Sequence, residues 1–262
     1  MRGRFARWRA PDPEVRAWVD LPAGHAEVVL ERDPRVLRIK SPRGNIYLVL
    51  GERIAVIDPN LPGEESLVAT ALAREGRRLA DVDHVACTHL HFDHASALDS
   101  LAEAAGATVL LSPSMAPFVN GEQPYPFPGV RFTWPFLEVW GRVGFPGVRR
   151  RHLQLGGNVG YPWSDFRLRT GAPAFLELDR PSRRLGGLVP IHTPGHCPDH
   201  TCYLHPATGT LLAGDMFITI RGRLERNHIS MDPDAHAGSE RHLRRLGITA
   251  IWPGHGPVMQ AN

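Results

Sequence analysis

The sequence predicts an α/β fold in which a mixed sheet is covered by helices packed on its outside. Two patterns carry the expectation. Between Glu27 and Ile57 short apolar runs recur at strand spacing between turn residues, and from Glu64 to Leu111 helical and strand-like segments alternate. The runs at 28–30, 36–39, 46–50 and 54–57 are parted by Asp33-Pro34, by the turn 41–44 and by Gly51-Glu52-Arg53, which reads as an antiparallel meander. Residues 64–78 are helical, with Leu67, Val68, Ala71 and Leu72 on one face. A strand at 82–87, a helix near 95–105 and a strand at 108–111 follow. Residues 112–173 differ. They are rich in proline, glycine and aromatics, from Phe118 and Tyr125 through Trp134 to Phe166, with a short helix expected at 135–143. This stretch is expected to be an insertion within a single domain spanning 1–262, preceded by an Arg/Trp-rich arm over about 1–22. A second set of strands is expected at 174–178, 187–191, 201–204 and 210–212, then a helix at 235–246 and a strand at 250–252.

Composition narrows the function classes. At 262 residues, 42% hydrophobic and 22% charged, the chain is an ordinary globular protein and wholesale disorder is excluded. Thirty basic against 27 acidic residues leave +3, too mild a balance to argue for nucleic acid as partner. No apolar run approaches the roughly 18 residues of a membrane-spanning helix, so no membrane partner is expected. The basic N-terminus lacks the apolar stretch of a signal peptide. Three cysteines, Cys87, Cys197 and Cys202, make no disulfide framework; together these features point to the cytoplasm. Histidine is the unusual residue, at 14.

The central string is Thr88-His89-Leu90-His91-Phe92-Asp93-His94. Ligands two apart on an extended segment project to one side, so His89 and His91 can grip one ion together, and a turn can aim Asp93 and His94 at a second. The alternative is an amphipathic strand burying Leu90 and Phe92. Against it, three histidines and one aspartate at set positions arise by chance about 0.002 times in such a chain. Further donors follow at strand ends: His196 in Thr-Pro-Gly-His, Asp215 after Gly214, and His255 in Gly-His-Gly. Loops leaving strands are where a rigid scaffold presents chemistry.

In this order the motifs HLHFDH, TPGH, GD and GHG resemble the metallo-β-lactamase superfamily, and within it the glyoxalase II-type hydrolases, over about residues 27–257. The resemblance implies an αββα sandwich of two mixed sheets with outer helices and the metals at one edge. It implies that His89, His91 and His196 bind one metal, that Asp93, His94 and His255 bind a second, and that Asp215 bridges them. The cofactors implied are two divalent ions, zinc first, with iron or manganese as alternatives. Asp58 resembles an early structural aspartate of the family that orients a ligand; a helix-entry aspartate is the alternative. The implied chemistry is hydrolysis of an ester, thioester or lactone by a metal-bridging hydroxide, with Asp93 or Asp215 relaying the proton. A mononuclear iron persulfide dioxygenase and a phosphodiesterase or nuclease of the same superfamily are the alternatives. Lactonases of the family carry a tyrosine three residues past the bridging aspartate, where this chain has Ile218, and glutathione recognition by a helical C-terminal domain, as in glyoxalase II enzymes, is not expected from the six residues that follow Gly256. The aromatic insertion suggests a small-molecule substrate with an apolar part.

Overall fold

The computed structural model describes residues 21–31, 33–42, 44–126, 168–220 and 223–260. In chain order its elements are β1 (Ala26–Leu30), β2 (Arg35–Lys40), β3 (Asn45–Leu50), β4 (Ile54–Ile57), α1 (Glu65–Arg74), β5 (His84–Ala86), α2 (Phe92–Ala95), α3 (Leu98–Ala105), β6 (Thr108–Leu111), α4 (Ala116–Val119), β7 (Ala174–Phe175), β8 (Val189–His192), β9 (Thr201–His205), β10 (Thr210–Gly214), β11 (Phe217–Ile220), β12 (Arg223–Arg226), α5 (Pro233–Leu243), β13 (Ala250–Pro253) and β14 (Met259–Gln260). The first seven strands form one sheet in sequence order, antiparallel through β4 and parallel from β4 to β7. The second sheet runs β14-β13-β10-β9-β8, with β10 and β13 parallel, and β11 pairs with β12 in a separate hairpin.

Alternation along the strands explains the layering. Successive side chains on a strand point to opposite faces, and both faces of β3 are apolar. Ile46 and Leu48 meet Val68 and Leu72 of α1 and Leu98 and Leu101 of α3, while Tyr47 and Val49 face the other way, toward Tyr203, Leu212 and Trp252 of the second sheet. The far face of that second sheet, with Cys202, Leu204, Leu211 and Ile251, is closed by Leu243 of α5. Helix, sheet, sheet, helix is the αββα sandwich expected from the sequence. Tyr47 fastens the two sheets: its ring stacks on Trp252 at 6.0 Å and its hydroxyl donates to Pro253 O at 2.7 Å. Trp252→Ala therefore opens a cavity between the sheets and is expected to cost about 3–5 kcal/mol in urea unfolding.

Three expectations need correction. The strand beginning at Ala174 pairs with β6, so it extends the first sheet rather than opening the second. The helix expected near 95–105 begins only at Leu98, because Ala97 N bonds Asn60 O, and a separate turn of helix over 92–95 precedes it. The helix expected over 64–78 stops at Arg74, where Arg77 N bonds back to Leu72 O. The β11–β12 hairpin and β14 carry no expectation from the sequence. Of the arm over 1–22 only residues 21 and 22 are described. Residues 127–167 of the insertion, with the helix expected at 135–143, lie outside the described residues. None of the described helices is long and apolar enough to cross a membrane.

Candidate metal centre

The loops that leave β4, β5, β8, β10 and β13 meet at one edge of the sandwich, and they bring all seven expected donors together. His89 Nε2 and His196 Nε2 each stand 2.9 Å from His91 Nδ1. His255 Nε2 lies 3.5 Å from Asp93 Oδ2, and His94 Nε2 and His255 Nε2 each lie 3.4 Å from Asp215 Oδ1. The other oxygen of that carboxylate, Asp215 Oδ2, faces His196 Nε2 at 3.6 Å. Asp215 thus stands between a three-histidine group and a group formed by Asp93, His94 and His255.

The donors are aimed by what lies behind them. Asp58, fully buried and in the left-handed region at φ +53°, accepts from His94 Nδ1 at 3.0 Å and from Thr88 N at 2.7 Å. The Thr88 hydroxyl donates to Asp58 Oδ2 at 3.0 Å, so its oxygen accepts from His89 Nδ1 at 2.9 Å. His196 Nδ1 donates to Ile229 O at 2.6 Å. Because these partners must accept, Nδ1 carries the proton in each ring, and Nε2 is the atom left to face the centre. Of the two readings of Asp58, the ligand-orienting one describes its contacts. His200 sits behind the site, where its Nε2 accepts from Asp215 N at 3.2 Å and its Nδ1 meets Thr193 Oγ1 at 2.8 Å.

The electrostatics suit a cation. Burial first, then crowding by neighbouring imidazoles, holds His89 and His91 well below the ordinary histidine range; burial also holds His196 below it. Neutral imidazoles are the form that ligates. Burial opposes charge on His94 and His255 too, but there it is outweighed. Asp58 and Asp215 hold His94 well above its usual value, and Asp215 and Asp93 raise His255. In turn His255 and His94 hold the buried Asp215 carboxyl well below the carboxylate range, against the effect of burial. His91 Nδ1 stands 2.9 Å from two imidazole nitrogens at once, so three ring nitrogens gather at one point, as the ligands of a single cation would. The His/Asp cluster is capable of holding metal, and Cys197 Sγ also lies within 4.8 Å of the three-histidine donors.

The glycines of the motifs are required by contact. Gly195 has φ +139°, and a Cβ there would stand 2.2 Å from His236 Cα at the start of α5. A Cβ on Gly254 would stand 2.6 Å from both Asp215 Oδ1 and His94 Cε1.

The family model described as the metallo-beta-lactamase superfamily matches residues 42–255. The chain belongs to that superfamily. A metallo-beta-lactamase family protein of Thermus thermophilus, TTHA1429, superposes with a TM-score of 0.58 at 20% identity, covering 92% of this chain and 75% of that one, a likeness of fold. TTHA1623, solved in a di-iron-bound form, gives 0.52 at 24% identity over 89% of this chain and 94% of that one. Among sequence relatives, the uncharacterized Bacillus subtilis protein YobT is 30% identical over 66% of this chain, and the B. subtilis protein named probable metallo-hydrolase YqjP is 26% identical over 80%. The chain spans 61% and 66% of the lengths of those two relatives.

Within the superfamily fold, Ile218 lies in β11 and is buried at 3% exposure, so no phenol stands at that position. A phenol reaches the site from elsewhere: the Tyr125 ring lies 6.0 Å from that of His91. Neither Thr88, which relays Asp58 to His89, nor the buried Asp199 is marked by sequence pattern. Their partners are a neighbouring ring and backbone groups of other loops, and no spacing rule encodes such contacts.

Proposed function

We propose that this chain is a metallo-hydrolase holding two divalent cations, one among His89, His91 and His196 and one among Asp93, His94 and His255, with Asp215 between them. The observation that carries the reading is the opposed aim of the two Asp215 oxygens, Oδ2 toward His196 and Oδ1 toward His94 and His255. Such a pair of cations supplies, when bound, hydroxide at neutral pH and polarisation of a carbonyl or phosphoryl oxygen. The protein's own groups do the rest. Asp58 and Thr88 keep His94 and His89 in one orientation through the reaction. Asp93, whose side chain is 21% exposed against 10% for Asp215, is the carboxylate better placed to take a proton and deliver it to a leaving group at the mouth of the site. No serine or cysteine nucleophile is needed.

The substrate class we infer is a small ester, thioester or lactone, in keeping with the glyoxalase II-like motif string. Tyr125 beside His91, with Phe118 at 5.2 Å behind it, is an apolar wall suited to an acyl part. Zinc is the first expectation for the metal, with iron, which TTHA1623 carries, as the alternative. Metal content per chain, measured alongside turnover of ester, thioester, lactone, β-lactam and phosphodiester substrates, tests the reading. Two equivalents of metal and carbonyl-ester turnover support it; metal-free protein with undiminished turnover overturns it.

A cation must displace the protons of His94 and His255, both of which bind protons more tightly than an ordinary histidine. Affinity is therefore expected to rise with pH as these rings deprotonate and to fall as pH drops through the same range. Protons are released on binding, which calorimetry in buffers of different ionisation enthalpy will register.

A further inference from the structure

We infer that Asp199 is a positioning residue that clasps the two histidine-bearing loops of the three-histidine group together, an inference that rests on the metal-site reading above. His89 and His91 ride on the loop after β5 in the first sheet, whereas His196 rides on the loop after β8 in the second. Nothing covalent between neighbours in sequence sets the distance between these loops. Asp199 spans them. It is fully buried, and its Oδ2 accepts from Leu90 N, the amide between the two paired histidines, at 2.8 Å. Its Oδ1 accepts from the Tyr125 hydroxyl at 2.8 Å. Burial first, then the nearby Asp199 carboxylate, holds the Cys197 thiol, one residue past His196, well above its ordinary value.

Each link bears on the orientation of a donor. A hydrogen bond from Leu90 N fixes the peptide that joins His89 to Leu90, the residue directly before His91. The phenol held by Oδ1 keeps the Tyr125 ring edge-on against His91 at 6.0 Å and 78°. The backbone of Asp199 is itself tied down, since its carbonyl accepts from Ser114 Oγ at 3.0 Å, and Thr201 N bonds Thr88 O at 2.8 Å just beyond. The carboxylate is thus a fixed anchor with two donors from two other segments, one on each oxygen. An amide can accept on one oxygen only, and alanine offers nothing.

The test uses cobalt(II) as the probe on the full-length protein, with affinity read by chelator competition and ligand geometry by the visible d–d bands. Asp199→Ala is expected to bind cobalt(II) about 10–100-fold more weakly with altered bands, and Asp199→Asn to show a smaller loss in the same direction. A purely structural role would lower the unfolding temperature and leave the bands of the folded protein unchanged. Should Asp199→Ala fail to fold, Asp199→Asn decides. Either variant, folded and binding cobalt(II) with wild-type affinity and wild-type bands, overturns the clasp while the metal-site reading stands. Wild-type protein that binds no cobalt(II) overturns both.

Discussion

Asp215→Ala is expected to abolish turnover on whichever substrate of the panel the wild-type protein hydrolyses, with a loss on the order of 10³-fold or more, since stabilisation by paired cations is worth several kcal/mol and each 1.36 kcal/mol is tenfold in rate. The size of the effect follows from where this carboxylate stands. It faces both donor groups, and together with Asp58 behind His94 and Asp93 beside His255 it offsets charge on those two rings. Without it the two proposed sites lose the carboxylate that faces both, and His94 and His255 keep only Asp58 and Asp93 as neighbouring anions. The fold should persist. Asp215 lies at the edge of the sandwich, outside the three apolar clusters. The measurements are kcat on the active substrate, metal content after dialysis and the circular dichroism spectrum. Native-like dichroism with wild-type turnover would sink the hydrolase mechanism.

Gly254→Ala is expected to do comparable damage without removing a donor. The added methyl would meet Asp215 Oδ1 and His94 Cε1 at 2.6 Å, closer than non-bonded atoms can sit. The backbone cannot retreat, because Gly254 N donates to Gly214 O at 2.7 Å and Gly254 O accepts from Asn45 N at 2.8 Å. Nor can His94 swing freely while Asp58 holds its Nδ1. Asp215 and His94 must therefore splay, beyond the roughly 0.5 Å within which a working constellation has to be kept. On the proposed two-cation reading, metal content should fall below that of the wild-type protein, with turnover lost in parallel. Two tightly held equivalents in this variant would show that the loop has slack the contacts do not suggest.

The expected donors stand out in the sequence because His196, Asp215 and His255 follow apolar strands in glycine-containing turns, while His89, His91, Asp93 and His94 crowd into one short string that runs from the loop after β5 into α2. Strands at 54–57 and 108–111 fall where their apolar runs fall, since period-two burial on both faces leaves little freedom in register. Ala174 is harder to place, because which sheet a two-residue strand joins depends on β6 lying beside it, a fact of tertiary packing. Asp58 can be weighed between two roles but not assigned, as its contacts with Thr88 and His94 cross from one loop to another. Asp199 leaves no trace at all, for its partners are a main-chain amide and side chains from distant segments. Pattern reading finds side chains that face a ligand; it is blind to those that hold them from behind.

The donors are divided between the two layers, with His89, His91, Asp93 and His94 carried by one sheet and His196, Asp215 and His255 by the other. Neither layer alone carries all the donors of either proposed site, so metal bound there would act as a rivet through the sandwich. It should raise the midpoint of heat unfolding with free-cation concentration, by an amount that tracks RT ln(1 + [L]/Kd). A chain with its sheets undocked would offer only part of the proposed donors to an ion, so metal would favour the docked form.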